Sequence, residues 1–225
     1  MITLSIEQNQ ASYLGLFASP AFGLWKDRER FIENLYQLFS AYDVSLSDLR
    51  FESLGRSPGG EAVTVDVGNL GIYRLRYDRV EWVLDDFAEM DLARVPMMLQ
   101  SVDNWLRSNV KGFAFKTQVL AYLNHSNLSD GKARDYLLKF SDRDIPGIEQ
   151  SLGSGIVYNW QDSELDGRVQ LMVDHSSIVS DGLFVQFILS ADIDDLEFPK
   201  TVDIARSRIE FALAQIGLEL EQEIE

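Results

Sequence analysis

The chain has 225 residues and carries 36 acidic against 20 basic side chains, so its formal net charge is −16. It contains no cysteine, which excludes a disulfide scaffold and a cysteine-ligated metal cluster. Hydrophobic residues make up 46% of the chain, enough to build a real core, so a disordered chain is not expected. Because phosphate binding depends on a basic footprint, the acidity predicts no nucleic-acid partner.

The N-terminus lacks the features of a targeting segment. It has no basic region and reaches an acid at Glu7, unlike a signal peptide. No apolar run approaches the roughly 18 residues that span a bilayer, and no Lys/Arg-faced stretch indicates binding at a membrane surface. We therefore expect a soluble cytoplasmic protein with no membrane partner.

The first half of the chain mixes alternating and helical hydrophobic patterns. In the segment from Ile2 to Ile6, apolar residues alternate with polar ones, which predicts a first strand. Helical spacing predicts a helix over Pro20–Tyr42 with Ser19 as its cap. A second helix is predicted from Asp91, as its cap, through Leu106. Between the helices, strands are predicted at Leu49–Leu54, Val63–Val67 and Ile72–Leu84.

The long run Ile72–Leu84 changes the parity of its apolar residues. The apolar positions are first Tyr73, Leu75 and Tyr77, and then Val80, Trp82 and Leu84. A strand cannot change parity without an extra residue, so we predict a bulge or bend near Asp78-Arg79.

The second half shows a similar order of patterns. Strands are predicted at Thr117–Leu123, Ile156–Trp160, Val169–Val173 and Leu183–Leu189, with helices at about 130–140 and from Pro199 to Ile216. Gly217 is a natural stop for the last helix. The acidic end that follows, Leu218–Glu225, predicts either a frayed tail or a short last strand.

Each half thus reads strand, helix, three strands, helix, with a boundary between residues 110 and 111. The sequence predicts an α+β fold of two similar halves, 1–110 and 111–225, closely packed as one globular unit. Each half is expected to hold a mostly antiparallel sheet with helices packed on one face. The likeness indicates either an internal duplication or a chance similarity of pattern, because the halves share no convincing residue identity.

Both histidines follow predicted strands, in Asn124-His125-Ser126 and Asp174-His175-Ser176. One interpretation is a ligand-binding or catalytic site shared by two strand ends, with His175 beside Asp174 as a base or ligand. The favoured interpretation is two solvated histidines in ordinary turns, since neither has the spacing of a metal-binding motif. The short sequence Gly153-Ser154-Gly155 lacks the flanking residues of a nucleophile elbow or a phosphate loop and predicts a loop.

Arg74, Arg76 and Arg79 form the one basic concentration in this acidic chain. They lie on the strand face opposite the apolar residues and could bind an anionic ligand or an acidic partner. The favoured alternative is cross-strand pairing with nearby carboxylates, for which the candidates are Glu52, Glu61 and Asp66.

Two acidic clusters stand where a last strand meets a last helix, at residues 85–91 and 192–197. Oxygen clusters of this kind bind hard cations, but the spacing of a calcium loop is missing. The favourable interaction of carboxylates with the positive end of a helix dipole explains both clusters better, so neither a metal nor another cofactor is predicted.

No catalytic motif emerges, and the leading hypothesis is a non-catalytic protein-interaction or regulatory module. The large net negative charge of the chain would steer basic partners toward it. The alternative is a small-molecule-binding protein or enzyme with a site between the two halves, at the histidines and arginines named above. Self-association through an exposed strand edge, as a homodimer, is also expected from the frequency of such contacts.

Overall fold

The computed structural model describes residues 1–53, 61–87, 89–140, 155–164 and 166–221. It is an α+β fold with a mostly antiparallel open sheet and few helices, which confirms the predicted class at that level. The strands are β1 (Ile2–Phe17), β2 (Leu49–Ser53), β3 (Glu61–Asp66), β4 (Ile72–Arg76), β5 (Arg79–Asp85), β6 (Phe115–Leu128), β7 (Ile156–Asp162), β8 (Gly167–His175), β9 (Leu183–Ala191) and β10 (Leu218–Leu220). The helices are α1 (Arg28–Phe39), α2 (Glu89–Asn109), α3 (Ala133–Leu137) and α4 (Phe198–Gln215). Among the described residues, no helix has the length and apolar content needed to cross a membrane.

The chain forms two compact units, and each is assembled from separated segments. The first unit contains residues 1–10, 121–189 and 203–225, and the second contains residues 11–120 and 190–202. The prediction of two similar halves at 1–110 and 111–225, and of their origin by duplication, stays a prediction.

In the second unit the strands lie in the order β2-β3-β4-β5-β1-β6. Helix α1 begins after Asp27, whose carboxylate accepts a hydrogen bond from the backbone N–H of Arg30. The helix buries three residues at a spacing of four: Phe31, Leu35 and Phe39. Ser19 is therefore not its cap, because a separate 3-10 turn at Phe22–Trp25 precedes it.

Strands β4 and β5 form an antiparallel hairpin. Tyr73 is paired with Trp82 and Leu75 with Val80, and residues 77–78 make the turn. In place of the predicted bulge or bend in one strand near Asp78-Arg79, the chain bends at residues 77–78 and reverses direction, so the run forms two strands. Each arm keeps its own alternation, and the reversal produces the change of parity.

Helix α2 covers the same core. It already includes Asp91 in its first turn, so this residue does not cap the helix as predicted. Pro96 lies inside the helix. The helix buries a stripe at helical spacing: Val95, Met98, Leu99, Val102 and Leu106.

Strand β1 runs well beyond the predicted segment at its start and ends at Phe17. In the second unit it makes a close approach at Gly15. A Cβ there would lie 2.5 Å from the hydroxyl of Tyr13 and 2.5 Å from a ring carbon of Phe115. A residue without a side chain is therefore required at this position for the aromatic rings to pack.

In the first unit the strand order is β10-β1-β6-β9-β8-β7. The predicted alternation in β8 and β9 is confirmed, since every second residue is buried: Val169, Leu171 and Val173, and then Leu183, Val185, Phe187 and Leu189. Strand β6 differs, because two of its buried residues in this unit are polar, Asn124 and Ser126.

The C-terminal part of α4 belongs to the first unit and is tied to β7 by Arg208. Its guanidinium donates to Asp162, which is 5% exposed, at 2.6 Å and to Glu164 at 2.9 Å. After the helix, Gly217 has a positive φ of 80°, which confirms the predicted stop. The chain then forms β10, parallel to the start of β1.

Candidate functional site

The arginine cluster, Arg74, Arg76 and Arg79, lies in the second unit on the sheet face opposite the buried core. Its three guanidinium groups surround Glu81 of β5. Arg79 donates to this carboxylate at 2.6 Å, whereas Arg74 and Arg76 each lie 3.6 Å from it, as ion pairs without a hydrogen bond. Glu52 of β2 lies 3.6 Å from Arg74.

The cross-strand pairing expected for these arginines is therefore present, although only Glu52 of the three suggested carboxylates takes part. Glu61 instead accepts from Arg28 and Tyr77, and Asp66 accepts the backbone N–H of Gly68. The main partner is a residue that the sequence analysis passed over. Glu81 could have been found from the hairpin, because it faces Arg74 directly across β4 and β5.

Burial tends to raise the pKa of Glu81, but the hydrogen bond from Arg79 and the charges of Arg76, Arg79 and Arg74 outweigh it, so the pKa is lowered. The carboxylate is thus held in its charged form. It is the common counter-ion of the cluster.

Arg76 is the exceptional member of the cluster, because it is 8% exposed. Its Nε–H has no hydrogen-bond partner. A buried donor left unpaired costs about 1–3 kcal/mol, and more when the group is charged. The unpaired donor of Arg76 lowers the stability of the fold, so folding gives no reason for it. Arg76 is therefore the strongest candidate for a binding role on this face.

The two histidines lie in the first unit, on strands that β9 separates: His125 lies within β6, which runs on to Leu128, and His175 ends β8. His125 of β6 contacts Ser176, through its Nδ1 and the hydroxyl Oγ at 2.8 Å, and its ring stacks on Phe184 at 4.8 Å. The partner of His125 is thus the residue after His175. His175 is the last residue of β8, and its backbone N–H donates to the carboxylate of Asp174 at 2.7 Å.

The Ser176–His125 contact has the length of a nucleophile–base pair, but its hydrogen bonds indicate a structural role. The Ser176 oxygen accepts the backbone N–H groups of Ile178 and Val179, at 3.1 Å and 2.8 Å. With both lone pairs used, the hydroxyl must donate to Nδ1, which makes His125 a neutral imidazole. Burial lowers the pKa of His125 and favours the same neutral form.

The acidic segment at residues 192–197 anchors a loop. Asp194 accepts from Arg107 at 3.1 Å and from the backbone N–H of Phe115 at 2.7 Å, and Asp192 accepts from Thr117. At the other cluster, Asp85 ends β5 and α2 begins at Glu89. Within the described ranges, no group of three or more histidine, aspartate or glutamate side chains could hold a metal ion.

A buried polar network in the second unit was not anticipated from the sequence. Asp103 is 2% exposed and pairs with Arg107 at 3.0 Å, and the hydroxyl of Tyr13 donates to Gln118 at 2.7 Å. Burial, reinforced by the nearness of Tyr13 and Asp103, raises the pKa of Tyr73 well above its ordinary value. The spacing of Asp103 and Arg107, four residues apart on a helix, is the signal that could have found it.

A shallow polar cleft of about 340 Å³ lies in the second unit. Among the residues that line it are Asp43, Asp48, Asp66 and Arg94. Its described lining includes no member of the arginine cluster and neither histidine. The cleft therefore does not bring the predicted site residues together.

The outer side of β7, which we call the β7 edge, forms one edge of the described sheet in the first unit. Strand β7 pairs with β8 over its whole length, from Ile156 opposite Val173 to Asp162 opposite Gly167. It stands last in the strand order, so no described strand pairs with its other side.

Comparison with known proteins gives no family for the chain. No family model matches it, and no curated protein matches it. Among solved structures, it resembles a rolling circle replication initiator protein from Geobacillus stearothermophilus, at 7% identity and a TM-score of 0.35, over 96% of this chain and 84% of that chain. It also resembles Methanococcus jannaschii TBP, at 11% identity and a TM-score of 0.31, over 96% of this chain and 97% of that chain.

Likeness of this degree carries no argument about function. The expectation that the chain binds no nucleic acid therefore stays a prediction, resting on its charge alone.

Proposed function

We propose that this protein is a non-catalytic protein-interaction module and that it binds its partner at the β7 edge. The partner adds an extended segment to the sheet, so that backbone hydrogen bonds supply affinity and alternate side chains supply specificity. The observation that carries the proposal is the unshared outer side of β7 among the described residues.

The composition of the β7 edge suits strand addition. Residues 156–161, Ile-Val-Tyr-Asn-Trp-Gln, carry no charge and no proline. Val157 and Tyr158 are 50% and 41% exposed. Proteins that avoid pairing at an edge usually place charges or prolines there, and none stands in this run.

The end strand of the second unit provides a contrast within the same chain. Strand β2 is also an end strand, but it is only five residues long and carries Arg50 and Glu52. Charged, short edges discourage pairing. The β7 edge is therefore the better of the two binding surfaces.

The described contacts of a candidate catalytic histidine and of a candidate cation-binding cluster support a non-catalytic role. His125 is occupied by Ser176, and the acids of residues 192–194 hold a loop. The net charge of −16 gives a basic partner faster encounter at low salt and disfavours nucleic acid. A second copy of the chain, forming a homodimer, is the partner that can be tested with the purified protein alone.

The test compares wild type with Val157→Lys, which adds a charge to an exposed edge position, and with Ile178→Lys, which does so in an exposed loop of the same unit. Sedimentation measures self-association, and affinity capture from lysate identifies other partners. We expect Val157→Lys to lose the complex and Ile178→Lys to keep it. Equal binding by the two variants would show that the β7 edge is not the surface.

A second candidate function, binding of a small ligand, is favoured by one observation. This is the buried Nε–H of Arg76, which lacks a partner in the arginine cluster.

A further inference from the structure

We propose that the arginine cluster is a binding site for an oxyanion, either a phosphate or a carboxylate group. The site lies on the sheet face of the second unit and is separate from the β7 edge. Arg76 and Arg74 supply the donors, and Glu81 occupies the cluster as an internal competitor.

The first argument is the hydrogen-bonding state of Arg76. A guanidinium presents five N–H donors. The side chain of Arg76 is 9% exposed, and its buried Nε–H has no hydrogen-bond partner. The only described polar contact of Arg76 is the ion pair of Nε with Glu81 at 3.6 Å. Buried donors in folded proteins nearly always have partners, so an arginine kept in this state points to an acceptor supplied from outside.

The strand register explains why the described neighbours of Arg76 give its Nε–H no hydrogen-bond acceptor. Across β3 and β4, Arg76 faces Ala62, whose side chain ends at Cβ. On its other side the hairpin brings Arg79, a like charge, beside it. Beyond Ala62, on β2, the same row holds Glu52, but its carboxylate accepts from Thr64 and lies 3.6 Å from Arg74. Thr64 and Glu81 both face Arg74 in the next row, so the described carboxylates of this face are drawn toward Arg74 and Arg79.

Arg74 is placed to share the ligand. Its Nε donates to Thr64 at 3.2 Å, and its Nη1 lies 3.6 Å from Glu81 without a hydrogen bond. Its side chain is 35% exposed. Arg79, in contrast, is already satisfied by Glu81 and Asp78. Two of the three guanidinium groups thus retain donors for an oxyanion.

The chemistry of arginine defines the class of ligand. The planar fork of a guanidinium matches the two oxygens of a carboxylate or phosphate, and such bidentate pairs are among the stronger hydrogen bonds in proteins. The ligand must also displace or tolerate the charge of Glu81. Binding is therefore expected to be weak in the wild type and to strengthen when that charge is removed.

The experiment follows the arginine Nε–Hε signals by ¹⁵N NMR during titration with inorganic phosphate and, separately, with acetate. Sodium chloride keeps the ionic strength constant, so general screening is the same at every point. We expect a saturable shift of the Arg76 signal with at least one of the two anions, and the comparison tells phosphate from carboxylate. No saturable shift with either anion would overturn the proposal.

Three variants locate the effect. Arg76→Met keeps the apolar stem and should abolish binding, whereas Arg30→Met, at an exposed arginine of α1, should leave it unchanged. Arg74→Gln should weaken binding about tenfold, the worth of a hydrogen bond to a charged group. Glu81→Gln should strengthen it about tenfold by removing a nearby like charge.

Arg74→Gln and Glu81→Gln test the proposed anion site if Arg76→Met does not fold. Unchanged affinity in both of them, or saturable binding that persists in a folded Arg76→Met variant, would show that the anion binds elsewhere.

Discussion

Replacing Arg107 by methionine tests the buried network of the second unit. In the wild type, Arg107 reaches Asp103 at 3.0 Å and Asp194 at 3.1 Å, and its Nη2 donates to the Asp194 carbonyl at 2.6 Å. The guanidinium also lies 5.9 Å from the rings of Phe113 and Phe115. The substitution keeps the alkyl stem and removes every polar contact.

The expected loss is about 3 kcal/mol in the free energy of unfolding. Breaking a buried pair by removing one partner costs about 3–5 kcal/mol, and Asp103 is left as the uncompensated charge at 2% exposure. We take the lower end because Arg107 is itself 27% exposed and partly screened. Proton uptake by Asp103 limits the cost further.

Urea denaturation followed by tryptophan fluorescence measures the effect, since Trp105 lies on the same helix. Unchanged m-values would show that one transition is compared throughout. In a double-mutant cycle, Arg107→Met should cost about 1–2 kcal/mol less in an Asp103→Asn background, where no charge is stranded. A loss below about 0.5 kcal/mol in the single variant would refute the reasoning.

The pH dependence provides an independent check on the same variant. Burial raises the pKa of Asp103 above its ordinary value even with Arg107 present. A group with a raised folded-state pKa contributes stability below its unfolded pKa and loses it as the pH rises through the folded one. The deficit of Arg107→Met should therefore shrink as the pH is lowered toward about 4.

Three further substitutions test separate parts of the structure. Gly15→Ala should destabilise by about 1–3 kcal/mol, because its Cβ would lie 2.5 Å from two side-chain atoms, whereas Gly23→Ala, with nothing within 4 Å, should be tolerated in the same thermal melt. Arg208→Met strands a buried carboxylate and should lower the Tm clearly more than Arg206→Met, whose ion pair is exposed; equal shifts would contradict the assigned role. The pKa of Glu81 is lowered, so this carboxylate stabilises the fold above its ordinary pKa, and the stabilisation is lost as the pH falls through the lowered pKa. In a plot of Tm against pH, Glu81→Gln should therefore reduce the fall in Tm at acid pH.

The sequence was most informative where strands alternate cleanly. In β8 and β9 every second residue is apolar and buried, so both strands and their inward faces follow from the pattern. Strand β6 departs from this pattern, because three of its four buried residues are polar: Gln118, Asn124 and Ser126. The burial of Gln118 depends on Tyr13, whose hydroxyl donates to it from 105 residues away in the chain. No local pattern contains that information.

The candidate site could be predicted only in part from the sequence, for a similar reason. Alternation placed the arginine cluster on one strand face, which the hairpin register supports. The sequence could not reveal that Arg76 faces Ala62 and is buried without a hydrogen bond, since this depends on the pairing of β3 with β4. The partner of His125 was likewise hidden, because Ser176 is 51 residues away.

Hydrogen–deuterium exchange of the β7 edge tests the proposed interaction surface most directly. The protein is compared alone at low concentration and in its complex, either with a second copy or with a captured partner, and β8 serves as the internal reference. The proposal predicts that the outward-facing amides of β7, which are not bonded to β8, exchange readily in the free protein and become protected in the complex, and that Val157→Lys abolishes this gain. Equal exchange of β7 in the free and bound states would contradict it.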